Sequence, residues 1–178
     1  MVLPLPGRGL RLAGRRLVAQ ADAFLLGRRT AEIFAAFWPR VTEEADPVAF
    51  RLNTLPKYVA LWTLSSVEWA GAELLRGDLA EAVARLKARP GRELQVHGSG
   101  DLLQTLMAHD LVDEYRLFVH PVVLGSGRRL FNQGAPPRSF KLVAATTTST
   151  GVVVATYERG GPVVTGSFTV EDPRGASA

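Results

Sequence analysis

Two stretches of this chain pass from an apolar strand through glycine straight into a helix, and that pattern limits the fold more than any other feature. They are Ala23-Phe24-Leu25-Leu26-Gly27-Arg28-Arg29-Thr30 and Leu94-Gln95-Val96-His97-Gly98-Ser99-Gly100-Asp101-Leu102. Glycine at a strand-to-helix turn lets a ligand approach the backbone, and the first turn of the helix offers unpaired N–H groups at its positive dipole end. Each turn therefore suits an anion. Two such turns on one domain suit a guest whose phosphates are held apart on a rigid body, which describes a dinucleotide.

Strands and helices alternate around these turns. Ala23–Gly27 is short and nearly all apolar, as strands buried on both faces are. After Thr30, placed to cap, Ala31, Ile33, Phe34 and Phe37 recur at helical spacing and stop before Pro39. Asp46-Pro47 opens a polar stretch, Lys57–Trp62 is a second strand and Glu73–Leu75 a third. Asp78 and Glu81 form a capping-box pattern ahead of the stripe Leu79, Val83 and Leu86, which Pro90-Gly91 ends. Leu94–His97 is the next strand, and the helix after it carries Leu102, Leu103, Leu106, Met107 and Leu111. Tyr115–Val123 is again a strand. This alternation predicts an α/β domain with a mainly parallel sheet, right-handed crossovers and helices on both faces. Phe140–Thr147 and Val152–Glu158 flank a Ser149-Thr150-Gly151 turn, an antiparallel hairpin appended to that core. Residues 1–161 are expected to form a single domain, and 162–178 a C-terminal extension.

A chain of 178 residues with 47% hydrophobic content can bury one core and is short for two domains. No apolar run approaches the roughly 20 residues that span a bilayer, so no membrane partner is expected. The absence of cysteine excludes disulfides and thiolate chemistry. His97, His109 and His120 are the three histidines and no pair has ligand spacing, so no metal is expected. The net charge of +4 is matched by Arg8, Arg11, Arg15 and Arg16, which precede the first acid, Asp22. The rest of the chain is balanced, and no broad basic face argues for nucleic acid. The arginine-rich start admits a transit peptide or a twin-arginine signal, but Gln20 and Asp22 interrupt the hydrophobic region. An irregular lead-in and a short helix packing Leu10, Leu12, Leu17 and Val18 is the preferred assignment, with a cytoplasmic location.

Gly98-Ser99-Gly100 lacks the third glycine of the Rossmann fingerprint, since Leu103 stands there, and no acid follows at the usual distance. The same residues also fit a tight turn without a ligand. Arg28 and Arg29 oppose the dipole at a helix start and are better explained by an anion between them than as solvated surface. His97 falls at the carboxyl end of its strand, where open α/β sheets bind ligands; a partly buried histidine bonded to backbone is the alternative. Gly125-Ser126-Gly127-Arg128-Arg129 is assigned as a plain loop rather than a third anion nest, and Asp113-Glu114 as a solvated corner.

Four groups of residues, in this order, closely resemble the dihydrofolate-reductase-like proteins related to the reductase domain of bacterial riboflavin biosynthesis. They are Leu25–Thr30 with Phe34, Val96–Gly100, Leu111–Glu114, and Pro121–Gly127 with Leu130-Phe131. The resemblance covers about Ala21 to Glu158. It implies a dihydrofolate-reductase-like mixed sheet with an NADPH site along its carboxyl edge. Gly27, Arg28, Arg29 and Thr30 would meet the adenosine side of the cofactor and its phosphates. Gly98, Ser99, Gly100, Asp101 and Leu102, with His97 beside them, would hold the pyrophosphate near the nicotinamide. Relatives often have Ser-Arg-Thr after the Lys-Tyr strand, a pair that can bind the 2′-phosphate; this chain has Leu61, Trp62 and Thr63, which keeps NADH open as the cofactor.

The resemblance also implies a first hydrophobic strand ending in a Ser-Leu-Asp-Gly-like turn beside the substrate. Met1–Gln20 does not match it, and no carboxylate precedes Asp22, so the catalytic residue is left unassigned. Val163–Val170, tethered by Gly160-Gly161, is expected to pair with the sheet and cover that place, in its own subunit or a partner's. The expected activity is NAD(P)H-dependent hydride transfer to a small pterin-like, pyrimidine-like or carbonyl substrate, by a homodimer. A non-catalytic nucleotide-binding or dimerisation module of the same fold is the alternative.

Overall fold

The alternation read in the sequence resolves into seven strands and five helices among the described residues, 8–60 and 67–166 of a computed structural model. In chain order they are α1 (Arg8–Val18), β1 (Ala21–Gly27), α2 (Arg28–Phe37), a 3-10 turn (Trp38–Arg40), α3 (Pro47–Thr54), β2 (Lys57–Ala60) and β3 (Ala72–Leu75). Then follow α4 (Leu79–Lys87), β4 (Glu93–Val96), α5 (Gly100–Ala108), β5 (Glu114–Val119), β6 (Phe140–Thr147) and β7 (Val153–Arg159). The fold is mixed α/β: a parallel sheet ordered β3-β2-β1-β4 and an antiparallel sheet ordered β5-β7-β6.

Strand β1 is apolar from Ala23 onward because both of its faces are covered there. Phe24 and Leu26 pack on one side with Val18, Ala31, Leu52, Val59 and Trp69, drawing in α2 and α3. Leu25 points to the other side, against Leu79 and Val83 of α4 and Leu102 and Leu106 of α5. The Asp78 cap is formed, its carboxylate accepting from the Glu81 N–H at 2.9 Å. Lys57 is fully buried at the start of β2; its ammonium donates to the Leu52 and Asn53 carbonyls at 2.7 and 3.0 Å and lies 4.5 Å from the centre of the Trp69 ring. Burial pushes its pKa down to about 8.

Several expectations are corrected. Asp46-Pro47 does not open a polar loop but begins α3, with Asp46 accepting from the Val48 N–H and Pro47 in the first helical position. Thr30 is not a cap: α2 starts at Arg28, with Gly27 as the residue before it. Of the α1 side chains expected to pack, Val18 is buried but Leu12 is exposed. The strand expected to reach Val123 stops at Val119, before His120-Pro121. Val163–Gly166 form no strand, and Val164 is 90% exposed; residues 167–170 lie outside the described residues.

No backbone ladder joins the two sheets among the described residues. Among the described residues β4 pairs only with β1, and β5 only with β7, so each presents an unpaired edge. A cleft of about 700 Å³ runs along β4 and β5, lined by Leu25, Leu94, Val96, Leu106, Leu117 and Phe118 among others. At its amino end the Arg116 guanidinium grips both oxygens of Glu93, at 2.7 and 2.8 Å.

Candidate functional site

The parallel register brings the carboxyl ends of β1 and β4 level, with Leu25 beside Val96, so the two glycine turns leave the sheet side by side. One side chain joins them. Ser99 Oγ accepts from the Gly27 N–H at 2.8 Å and donates to Thr30 Oγ1 at 2.9 Å, across 72 and 69 residues of chain. Gly98 and Ser99 both have positive φ, +66° and +64°, the tight reversal that delivers the chain into α5. A side chain at Gly27 would come within 3.2 Å of Ser99 Cβ and Oγ, a tight contact that would push the two turns apart by a few tenths of an ångström. The first turns of α2 and α5 thereby stand together at one edge.

Gly27, Arg28, Arg29, Thr30, His97, Gly98, Ser99, Gly100, Asp101 and Leu102 are thus drawn into one region, although not in equivalent ways. The Gly27 N–H is already committed to Ser99, and Leu102 is buried in the core below α5. Arg28 lies 3.6 Å from Glu32, one turn along α2. Arg29 is exposed and has no ion pair among the described residues. Ala60 of β2 is level with Gly27 at the same edge; Leu61, Trp62 and Thr63, which follow it, lie outside the described residues.

The loop assigned as plain also reaches this edge. Arg128 pairs with Asp101 at 2.8 Å, and its guanidinium and Cδ stand 3.6 and 3.8 Å from where a side chain at Gly100 would begin. The bond to Asp101 raises its pKa further. Gln104 anchors the loop by donating to the Leu130 carbonyl at 2.8 Å. Arg128 thus neutralises the one acid in the first turn of α5. An anionic dinucleotide fits this arrangement: two helix starts meet where glycines keep the backbone open, α2 begins with Arg28 and Arg29, and Arg128 stands beside Gly100.

His97 lines the cleft next to Gly98, with an edge-to-face contact to Phe24 at 5.5 Å; burial lowers its pKa. The carboxylates that line the cleft lie elsewhere. Asp22, Glu93, Asp113 and Glu114 sit at or before the amino ends of β1, β4 and β5, paired with Arg92, Arg116, Lys87 and Arg116 respectively. No group of three or more His, Asp or Glu side chains among the described residues could hold a metal ion. No described helix is long and apolar enough to cross a membrane.

The sequence profile of the RibD C-terminal domain matches residues 7–154. The chain belongs to the RibD C-terminal domain family. Within reach of this family, the uncharacterised protein YyaP of Bacillus subtilis (strain 168) is 31% identical over 144 residues, covering 80% of this chain and 76% of that one. A putative riboflavin biosynthesis protein from Shewanella sp. PV-4 is similar in structure, with a TM-score of 0.67 at 24% identity over 90% of this chain and 84% of the other. A pyrimidine reductase-like protein from Corynebacterium diphtheriae superposes with a TM-score of 0.60 at 14% identity, covering 89% and 84%. These likenesses establish the fold, that of the RibD C-terminal domain family.

Proposed function

We propose that this chain is an NAD(P)H-dependent reductase that transfers hydride to a small heterocyclic or carbonyl substrate of the pterin or pyrimidine kind. The observation that carries this reading is the Ser99 bridge, which brings two glycine-opened helix starts together at the carboxyl edge of a parallel sheet. The bound dihydronicotinamide supplies the hydride. The backbone of Gly98 and Gly100 and the first turn of α5 bind the pyrophosphate, Arg128 holds off the charge of Asp101, and Arg28 and Arg29 attract the adenosine-side phosphates. His97 borders the place where the reacting rings meet. The cleft between β4 and β5 takes the substrate against its leucine and valine lining.

One observation favours the alternative, a non-catalytic nucleotide-binding module. Every carboxylate lining the cleft is held by a basic partner away from the His97 end, so none of the described acids stands ready to donate a proton there. Steady-state oxidation of NADPH and NADH with pterin and pyrimidine substrates separates the two. Turnover supports the reductase; tight cofactor binding without any turnover supports the module; absence of binding by either cofactor rejects both. The proposed assembly is a homodimer, supported by exposed apolar side chains at Leu142, Val143, Val122 and Leu124, and light scattering in solution measures it.

A further inference from the structure

Glu93, Gln95 and His97 alternate along β4 and its exit, so all three side chains lie on one face of the strand. Arg116 holds Glu93 well below the usual carboxylate range, which leaves Glu93 able only to accept hydrogen bonds. Gln95 Nε2 donates to Glu93 Oε2 at 2.6 Å and to the Leu17 carbonyl at 2.7 Å. Neither partner can donate, so the Gln95 amide has one orientation and its Oε1 is the atom 3.0 Å from His97 Nε2. An amide oxygen only accepts, so Nε2 of His97 carries the hydrogen. Burial keeps the imidazole neutral, and its lone pair falls on Nδ1. That atom has no hydrogen-bond partner among the described residues and is not sealed from solvent, while the ring borders the cleft beside Gly98.

We propose that His97 Nδ1 accepts a hydrogen bond from an N–H of the bound ligand, a carboxamide or lactam N–H, and that Arg116, Glu93 and Gln95 form the chain that fixes its tautomer. The ligand's identity rests on the reductase reading; the tautomer does not. Arginine at 116, a carboxylate at 93 and an amide at 95 are positioning residues, since they act only through the ring. A ligand that offers an acceptor where the N–H should be would meet a lone pair and be rejected, so this one nitrogen selects for carboxamides over the corresponding acids or ketones.

The test uses the full chain with 15N-labelled histidine. Two-bond nitrogen–proton correlation spectra of the ligand-free protein should show His97 as a neutral ring protonated on Nε2, and Gln95→Leu should turn it into a tautomer mixture. Adding NADPH should shift the Nδ1 resonance. The 3-acetylpyridine analogue, whose methyl ketone replaces the carboxamide, should bind about 2- to 10-fold more weakly and leave Nδ1 unshifted. In His97→Phe the two should bind equally, while adenosine 2′,5′-bisphosphate, which lacks the nicotinamide, binds as in the wild type and confirms the fold. If Nδ1 shifts only when a pterin or pyrimidine joins the NADPH complex, the donor is the substrate's lactam and the proposal stands. A ligand-free ring protonated on Nδ1 overturns it, as does a His97→Phe protein that binds NADPH, its analogue and the pterin as the wild type does. If neither NADPH nor NADH binds the wild type, both the reductase reading and the ligand half of the proposal fall, and the ligand-free spectrum separates that failure from a wrong tautomer.

Discussion

The parallel and antiparallel halves of this protein stabilise their strands in opposite ways. In β1, Ala21, Phe24, Leu25 and Leu26 are at most 1% exposed, because helices cover both faces. In β6, every residue after Phe140 is exposed, including Leu142 at 53% and Val143 at 49%. The antiparallel half instead holds together through its ladder, an aromatic group of Tyr115, Phe131, Phe140 and Tyr157, and ion pairs of Arg159 with Asp110 and Asp113. The difference separates two tasks. The rigid, doubly covered sheet positions the glycine edge, and the more open sheet forms the far wall of the cleft.

The largest expected effect tests the burial side of that contrast. Phe24→Ala should destabilise the protein by about 3 to 5 kcal/mol, the range for deleting a fully buried aromatic ring, whereas Leu142→Ala should change the stability of the dissociated, dilute chain by about 0.5 kcal/mol or less. Chemical denaturation measures both. Comparable losses would mean that β6 is covered in solution, which is what the proposed homodimer requires, and dilution would then lower the stability of the wild type.

A second test uses the buried ammonium of the parallel half. Lys57 gives up its proton near pH 8 when folded and near 10.4 when unfolded. Between those values the unfolded chain binds more protons, so the contribution of Lys57 to stability rises with pH across that window. The stability difference between wild type and Lys57→Met, measured at pH 7.5 and pH 10, should therefore grow toward pH 10. A constant difference would show that the folded ammonium is not desolvated.

At the glycine edge, Arg29→Ala should weaken NADPH binding by about 1.5 to 3 kcal/mol, the range for a hydrogen bond to a charged group, and leave the Tm of the free protein unchanged. Arg28→Ala should cost less, because Arg28 already has Glu32 as a partner. Fluorescence titration reads both, and unchanged dissociation constants would make these arginines solvent-facing surface only. Ser99→Ala removes the acceptor of the Gly27 N–H and the donor to Thr30, with an expected cost of about 1 to 3 kcal/mol in stability and a matching loss of cofactor affinity as the turns separate.

Sequence patterns revealed most of the doubly covered half because its signals are local. The apolar run of β1, the Asp78 cap and the stripe of α5 all lie within one element. Asp46 followed by Pro47 was an equally local helix start, an acceptor at the cap with proline in the first turn, and could have marked α3. The site itself depends on contacts that the sequence does not place side by side. Ser99 meets Gly27 from 72 residues away and donates to the Thr30 hydroxyl; Arg128 reaches Asp101 from a loop with no regular pattern. The row Glu93, Gln95, His97 did leave a signal, three hydrogen-bonding side chains at period 2 in a strand that is otherwise apolar.

The smallest effect concerns the segment expected to complete the sheet. A strand lodged between β4 and β5 would place alternate side chains against Leu94, Val96 and Leu117, and a charge introduced there would cost several kcal/mol, as for any unpaired buried carboxylate. Val164 instead projects into solvent, and the chain before it turns toward β6, with the Gly160 N–H donating to the Ser139 carbonyl at 2.9 Å and Ser139 Oγ donating to the Gly161 carbonyl at 2.5 Å. Val164→Asp should therefore alter stability by no more than about 0.5 kcal/mol. Val152→Asp, on the hairpin and only 3% exposed, is the matched control and should unfold much of the population. If Val164→Asp proves as damaging as Val152→Asp, residues 163–166 occupy a buried place in solution, and the edges of β4 and β5 are where amide exchange should find it.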